Sequence, residues 1–151
     1  MAVDYSAIEP PTWSLLLAES CRTKGHKVGI LDCNAERLTV EESVSKIEQF
    51  NAEIVCFVVY GQNPNSGTTN MAAASILAKK YKEEFPNRFT MFIGSHTSAM
   101  PRDVLKNSYV DFVSINEGVF TLHDLLKTNK KDHLDKVRGL GYKKDGLLRF
   151  G

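Results

Sequence analysis

Four histidines and three cysteines are the residues of this 151-residue chain best suited to nucleophilic, acid–base or metal chemistry. Their spacing serves none of it. Cys21, Cys33 and Cys56 stand too far apart for zinc or iron–sulfur spacing, and their odd, scattered count gives no disulfide framework. Cys21 and Cys56 read as core residues. His26 precedes an apolar run, His123 lies in a helical pattern and His133 in a lysine-rich stretch. Only His96 falls in a polar loop that follows a predicted strand. Glu117 has the right chemistry for a general base but no visible partner. A small enzyme using His96 and Glu117 on an anionic metabolite is the one catalytic reading open, and nothing specifies its substrate.

Polar glycine segments are the stronger signal. They are Tyr60-Gly-Gln-Asn-Pro-Asn-Ser-Gly-Thr-Thr-Asn70, Gly94-Ser-His-Thr-Ser98 and Asn116-Glu-Gly118. Glycine lets a backbone approach a ligand closely, and Asn, Ser and Thr offer donors and acceptors. The first is not a phosphate loop: five residues separate Gly61 from Gly67, and Thr68 stands where the motif needs lysine. No G-x-G-x-x-G occurs, so the dinucleotide fingerprint is missing too.

These segments must be positioned by a scaffold, and short β-branched runs alternating with helical patterns predict a parallel α/β sheet. Strands are expected at Val28–Asp32, Ile54–Val59, Phe89–Ile93 and Phe112–Ile115. The run Ile-Val-Cys-Phe-Val-Val suits a strand covered on both faces. Trp13, Leu16, Leu17 and Cys21 recur at helical spacing, with Thr12 as N-cap and a stop near Lys24-Gly25. Thr39 and Glu42 form a capping box before a helix carrying Val44, Ile47 and Phe50. Further helices are expected over Asn70–Glu84, Pro101–Lys106 and Thr121–Lys127. Lys127–Lys136 reads as a solvated linker, and Leu140 to Phe150 as two short strands around Asp145-Gly146. In open parallel sheets ligands bind beyond the carboxyl ends of the strands, so all three glycine segments fall along one edge.

Composition narrows the class. The chain is 42% hydrophobic and 25% charged, a globular balance, and its length suits one domain. Nineteen basic against eighteen acidic residues leave a formal charge of +1, which gives no support for nucleic-acid binding. No apolar run approaches the ~20 residues that span a bilayer, and no signal peptide opens the sequence. A soluble, cytoplasmic, reduced protein is expected.

Several segments carry a family likeness. Ala7-Ile-Glu-Pro-Pro-Thr-Trp13, Lys24-Gly-His-Lys-Val28 and Leu31-Asp-Cys-Asn-Ala-Glu-Arg-Leu38 resemble the N-terminal cobalamin-binding domain of radical S-adenosylmethionine (radical SAM) enzymes. Tyr60-Gly-Gln-Asn-Pro64 and Gly94-Ser-His-Thr-Ser-Ala-Met-Pro101 are similar to its loops after the middle strands. Asn116-Glu-Gly-Val-Phe-Thr-Leu122 is similar to its Gly-Glu-Gly-x-x-Thr segment. Gly139-Leu-Gly-Tyr with Asp145-Gly resembles the hairpin that leads into the radical domain. Each motif is short; together, in the right order, they are fairly specific.

The resemblance implies a flavodoxin-like (Rossmann-like) parallel sheet with flanking helices and a C-terminal β-hairpin, holding cobalamin at its carboxyl edge. A cobalamin-binding domain would cover 7–127, and 128–151 would be the linker and hairpin that lead into a radical SAM domain absent from this sequence. The implied cofactor-binding residues are Tyr60, Gly61, Gln62, Asn63, Gly94, Ser95, His96, Ser98, Glu117 and Gly118. The Asp-x-His-x-x-Gly motif of methionine-synthase-like domains is missing, so no protein histidine is expected on cobalt. The usual Gly-Gly reads Gly94-Ser95, which narrows the pocket around the nucleotide tail. The Cys-x-x-x-Cys-x-x-Cys of the radical domain is also missing, so no iron–sulfur cluster and no catalysis by this chain alone are expected. The radical SAM domain would be a partner in cis or in trans.

The apolar first strand usual in this family is not evident, since Ala2–Tyr5 is short and polar. An incomplete sheet leaves backbone groups unpaired, which predicts homo-oligomerisation or strand exchange. The alternative function is a degenerate α/β domain without cofactor, serving oligomerisation or protein interaction.

Overall fold

The computed structural model describes residues 12–33, 36–60 and 64–151. Three parallel strands form the centre: β1 (Ile54–Val59), β2 (Phe89–Gly94) and β3 (Phe112–Ser114). The hairpin of β4 (Leu140–Lys144) and β5 (Leu147–Phe150) adds two antiparallel strands beside β3, giving the order β1-β2-β3-β4-β5. The Asp-Gly turn sets the hairpin as its type demands, with positive φ at both Asp145 and Gly146. β1 and β2 pair in register from Ile54↔Phe89 to Val59↔Gly94.

Side chains alternate between two cores, as the period of a strand requires. Met91 and Ile93 face α1 (Thr12–Thr23) and α6 (Val119–Leu126), which bring Leu17, Cys21, Leu122 and Leu125. Phe92 faces the other way, stacked on Phe57 at 5.1 Å beneath α3 (Pro64–Glu84) and α5 (Pro101–Leu105). α2 (Val40–Gln49) packs Val44 and Ile47 on Tyr81 of α3. The capping box forms as expected: Glu42 N donates to Thr39 Oγ1 and Thr39 N to Glu42 Oε2, both at 3.1 Å. α1 ends at a left-handed Gly25. This is a flavodoxin-like α/β fold.

Four expectations are corrected. Val28–Asp32 is not a strand. Val28 packs on the α1 side and Leu31 on the α2 side, but no described strand pairs with the segment, and β1 pairs only with β2. A strand needs a neighbour to complete its ladder, whatever its own propensity. The Val28 carbonyl instead accepts from Arg22 Nη2 at 3.0 Å. Second, α3 begins at Pro64, not Asn70, because proline at a helix start has its φ already set. Third, the segment after β2 is not an open loop but a short helix, α4 (Ser95–Ala99). Fourth, Lys127–Lys136 is not simply solvated. Lys130 is buried, with Nζ 3.1 Å from Glu53 Oε1, and Leu134 of the 3-10 turn Leu134–Lys136 enters the core. The candidate first strand, Ala2–Tyr5, lies outside the described residues.

Cys21 and Cys56 are core residues, and burial pushes the Cys56 thiol up to about 12. It stays protonated at neutral pH and is no nucleophile. Among the described residues no helix is long and apolar enough to cross a membrane.

Candidate functional site

The carboxyl ends of β1, β2 and β3 bring together Tyr60, the Gly94–Ser98 segment and Glu117–Gly118. Gly61, Gln62 and Asn63 lie outside the described residues. Tyr60 follows β1 and is half-buried, its ring 4.9 Å from that of Trp13 on the first turn of α1. Burial, and then the negative charge of Glu117, raise its phenol above the usual range. The ends of β1 and β3 flank that of β2 in the sheet.

Gly94 closes β2 at φ +153°, packed onto the neighbouring strand. A Cβ there would lie 2.0 Å from the Val59 carbonyl oxygen, so no other residue fits without moving backbone. Ser95 is exposed at the start of α4, and His96 and Ser98 are half-buried. Ser98 Oγ accepts from Asn116 N at 2.7 Å, which ties the β2 segment to the β3 loop. That loop turns through two left-handed residues, Asn116 (φ +79°) and the buried Gly118 (φ +83°). Gly118 then accepts the first helical bond of α6, from Leu122 N at 2.8 Å. A Cβ on Gly118 would stand 2.9 Å from Ile93 Cγ2. Glu117 beside it is exposed.

The groups along this edge are suited to binding. It offers hydroxyls, a carboxylate and an imidazole, in the manner of a site for a large polar ligand. Thr97 Oγ1 is buried with no hydrogen-bond partner, an unmet polar group within the same segment. Among the described residues no group of three or more His, Cys, Asp or Glu side chains is arranged to hold a metal ion.

The model of the B12 binding domain family matches residues 2–126, most of the chain. The chain belongs to this family. It is a B12-binding domain similar to that of a cobalamin-dependent radical SAM enzyme. Its fold matches the structure of the cobalamin-dependent S-adenosylmethionine radical enzyme OxsB with aqua-cobalamin and S-adenosylmethionine bound. That match has a TM-score of 0.68 at 20% identity, over 89% of this chain and 18% of OxsB. OxsB with aqua-cobalamin alone gives 0.64 at 19% identity, over 88% and 18% of the two chains. The apo enzyme gives 0.63 at 20%, over 93% and 19%. The B12-binding domain thus spans under a fifth of the length of these enzymes. No curated protein matches it.

The residues present fit the cofactor. A corrinoid is broad and fringed with amides, and the edge supplies hydroxyls, a carboxylate and an imidazole, with the buried Thr97 hydroxyl still without a partner. Sequence reasoning missed two rings at this edge, Trp13 and Phe120. Trp13 shares its helical spacing with Leu17 and Cys21, yet it stands 40% exposed while they are buried.

Proposed function

We propose that this B12-binding domain holds cobalamin across its carboxyl edge and presents it to a radical SAM domain, in cis or in trans. The assembled enzyme would perform methyl transfer or related radical chemistry. The domain itself would carry the cofactor without catalysing the reaction, since Cys-x-x-x-Cys-x-x-Cys does not occur in this sequence. The reading rests on one observation above all: Tyr60, Gly94–Ser98 and Glu117–Gly118 converge on one edge of a B12-binding fold. Tyr60, the backbone at Gly94 and Gly118, and the side chains of Ser95, His96, Ser98 and Glu117 would contact the cofactor. Gly61, Gln62 and Asn63 complete the set by sequence.

Incubation with hydroxocobalamin followed by desalting is expected to leave a red, near-equimolar complex. His96→Ala should retain at most about a tenth as much colour at low micromolar protein, as expected when a polar contact in a buried site is lost. A colourless, folded wild-type protein would refute the reading.

The second reading, an interaction module, is favoured by the outer edge of β1, which pairs with no described strand. Unpaired strand edges template association between copies. We propose that the chain forms homo-oligomers through this edge. Sedimentation velocity from 1 to 100 µM is expected to show a concentration-dependent dimer, by mass action. A single monomeric boundary throughout that range rejects it.

A further inference from the structure

Phe120 is the most exposed large apolar side chain among the described residues, at 82%. It stands on the first turn of α6, two residues after the left-handed Gly118. Helical side chains lean toward the helix N-terminus, so its ring tilts to the carboxyl edge of the sheet and not away from it. The ring is also held. It meets the His123 ring edge-on, with centroids 6.5 Å apart and planes at 87°. His123 Nε2 in turn shares a 2.5 Å hydrogen bond with Ser20 Oγ of α1. An uncovered aromatic fixed by a second ring, itself fixed across a helix seam, is surface prepared for a contact.

The loops beside it show what that contact lacks. Ser95, Ser98, Asn116 and Glu117 are all polar. They match the amide arms of a corrinoid but not the methyl and methylene groups that cover much of its macrocycle. Trp13, exposed beside Tyr60 at the start of α1, is the other ring on this edge. We infer that Phe120 packs on the bound corrinoid and sets how tightly the domain holds it. The inference rests on the cobalamin reading above and adds a residue outside the polar set.

Wild type, Phe120→Ser and Phe120→Leu would be titrated with hydroxocobalamin by equilibrium dialysis, with far-ultraviolet circular dichroism and Tm measured on each. Phe120→Ser is expected to raise Kd about tenfold and Phe120→Leu less than about threefold, following the apolar area each removes. Tm should stay unchanged for both, because the ring covers no core. Equal Kd for wild type and Phe120→Ser overturns the inference while leaving the cobalamin reading intact. Failure of wild type to bind removes that reading and this one with it.

Discussion

Gly94→Ala is expected to destabilise the domain by about 3 kcal/mol or more and to abolish corrinoid retention, through overpacking combined with an unfavourable backbone conformation. The added methyl would sit 2.0 Å from the Val59 carbonyl oxygen and 2.8 Å from its carbonyl carbon. Both atoms belong to the backbone of β1, which pairs with β2 at that position, so no flexible side chain can yield. The φ of +153° adds strain for any residue with a Cβ. Relief requires the last rung of the ladder to open, and that rung places Tyr60 and Ser95 on either side of the site. Gly146→Ala is the control. It also has positive φ but meets nothing within 4 Å, so it should cost only about 1 kcal/mol of backbone strain. Urea unfolding of the two variants measures the difference. Equal midpoints would show that the β1–β2 contact yields freely.

Asp111→Ala is expected to cost about 3 kcal/mol, as for a partly buried charge pair deprived of one partner. Asp111 precedes β3, and one carboxylate oxygen does three things. It accepts from Lys82 Nζ at 2.6 Å, from Thr90 N at 2.8 Å and from Thr90 Oγ1 at 3.2 Å. Thr90 is fully buried at the start of β2, so loss of the carboxylate strands its amide away from water. Lys82 and Asp111 are 17% and 27% exposed, enough to moderate the penalty through solvent screening. Lys143 aggravates it. Its Nζ donates to the carbonyls of Asn107 and Val110, and its charged form is disfavoured first by burial and then by Lys82, while Asp111 supports it. Asp111→Asn keeps an acceptor for Thr90 and should cost about half as much. For a domain of this size the alanine variant should lower Tm by roughly 10 °C. An unchanged Tm would mean that water replaces the carboxylate at no cost.

These two sites sit at opposite ends of the same strands, and the sequence announced them unequally. Gly94 could be read because it closes an apolar run and opens a polar segment. Asp111 could not, because its partners lie 21 and 29 residues away. The candidate site divides in the same way. The glycine segments and their order were legible, and the family likeness they carry matches the B12-binding model. Trp13 and Phe120 were not, because an exposed ring on a helix has the same spacing as a buried one. Phe120 follows the Asn116-Glu-Gly118 segment, but only the fold shows it uncovered while Leu122 and Leu125 turn inward.

By itself the sequence determined what depends on near neighbours. It set the strand at Ile54–Val59, the Thr39–Glu42 capping box, the end of α1 at Gly25 and the turn at Asp145-Gly146. Each follows from side-chain sterics or a hydrogen bond spanning a few residues. Tertiary structure decided what depends on a distant partner. Val28–Asp32 has strand residues but no described neighbour to pair with. Lys130 sits among charges yet is buried, because Glu53 meets it from across the fold. The β2 and β3 segments of the carboxyl edge are joined only when the Asn116 amide reaches Ser98. Local bonds are encoded in adjacent residues, whereas those contacts close only after the chain has ordered the long loops between them.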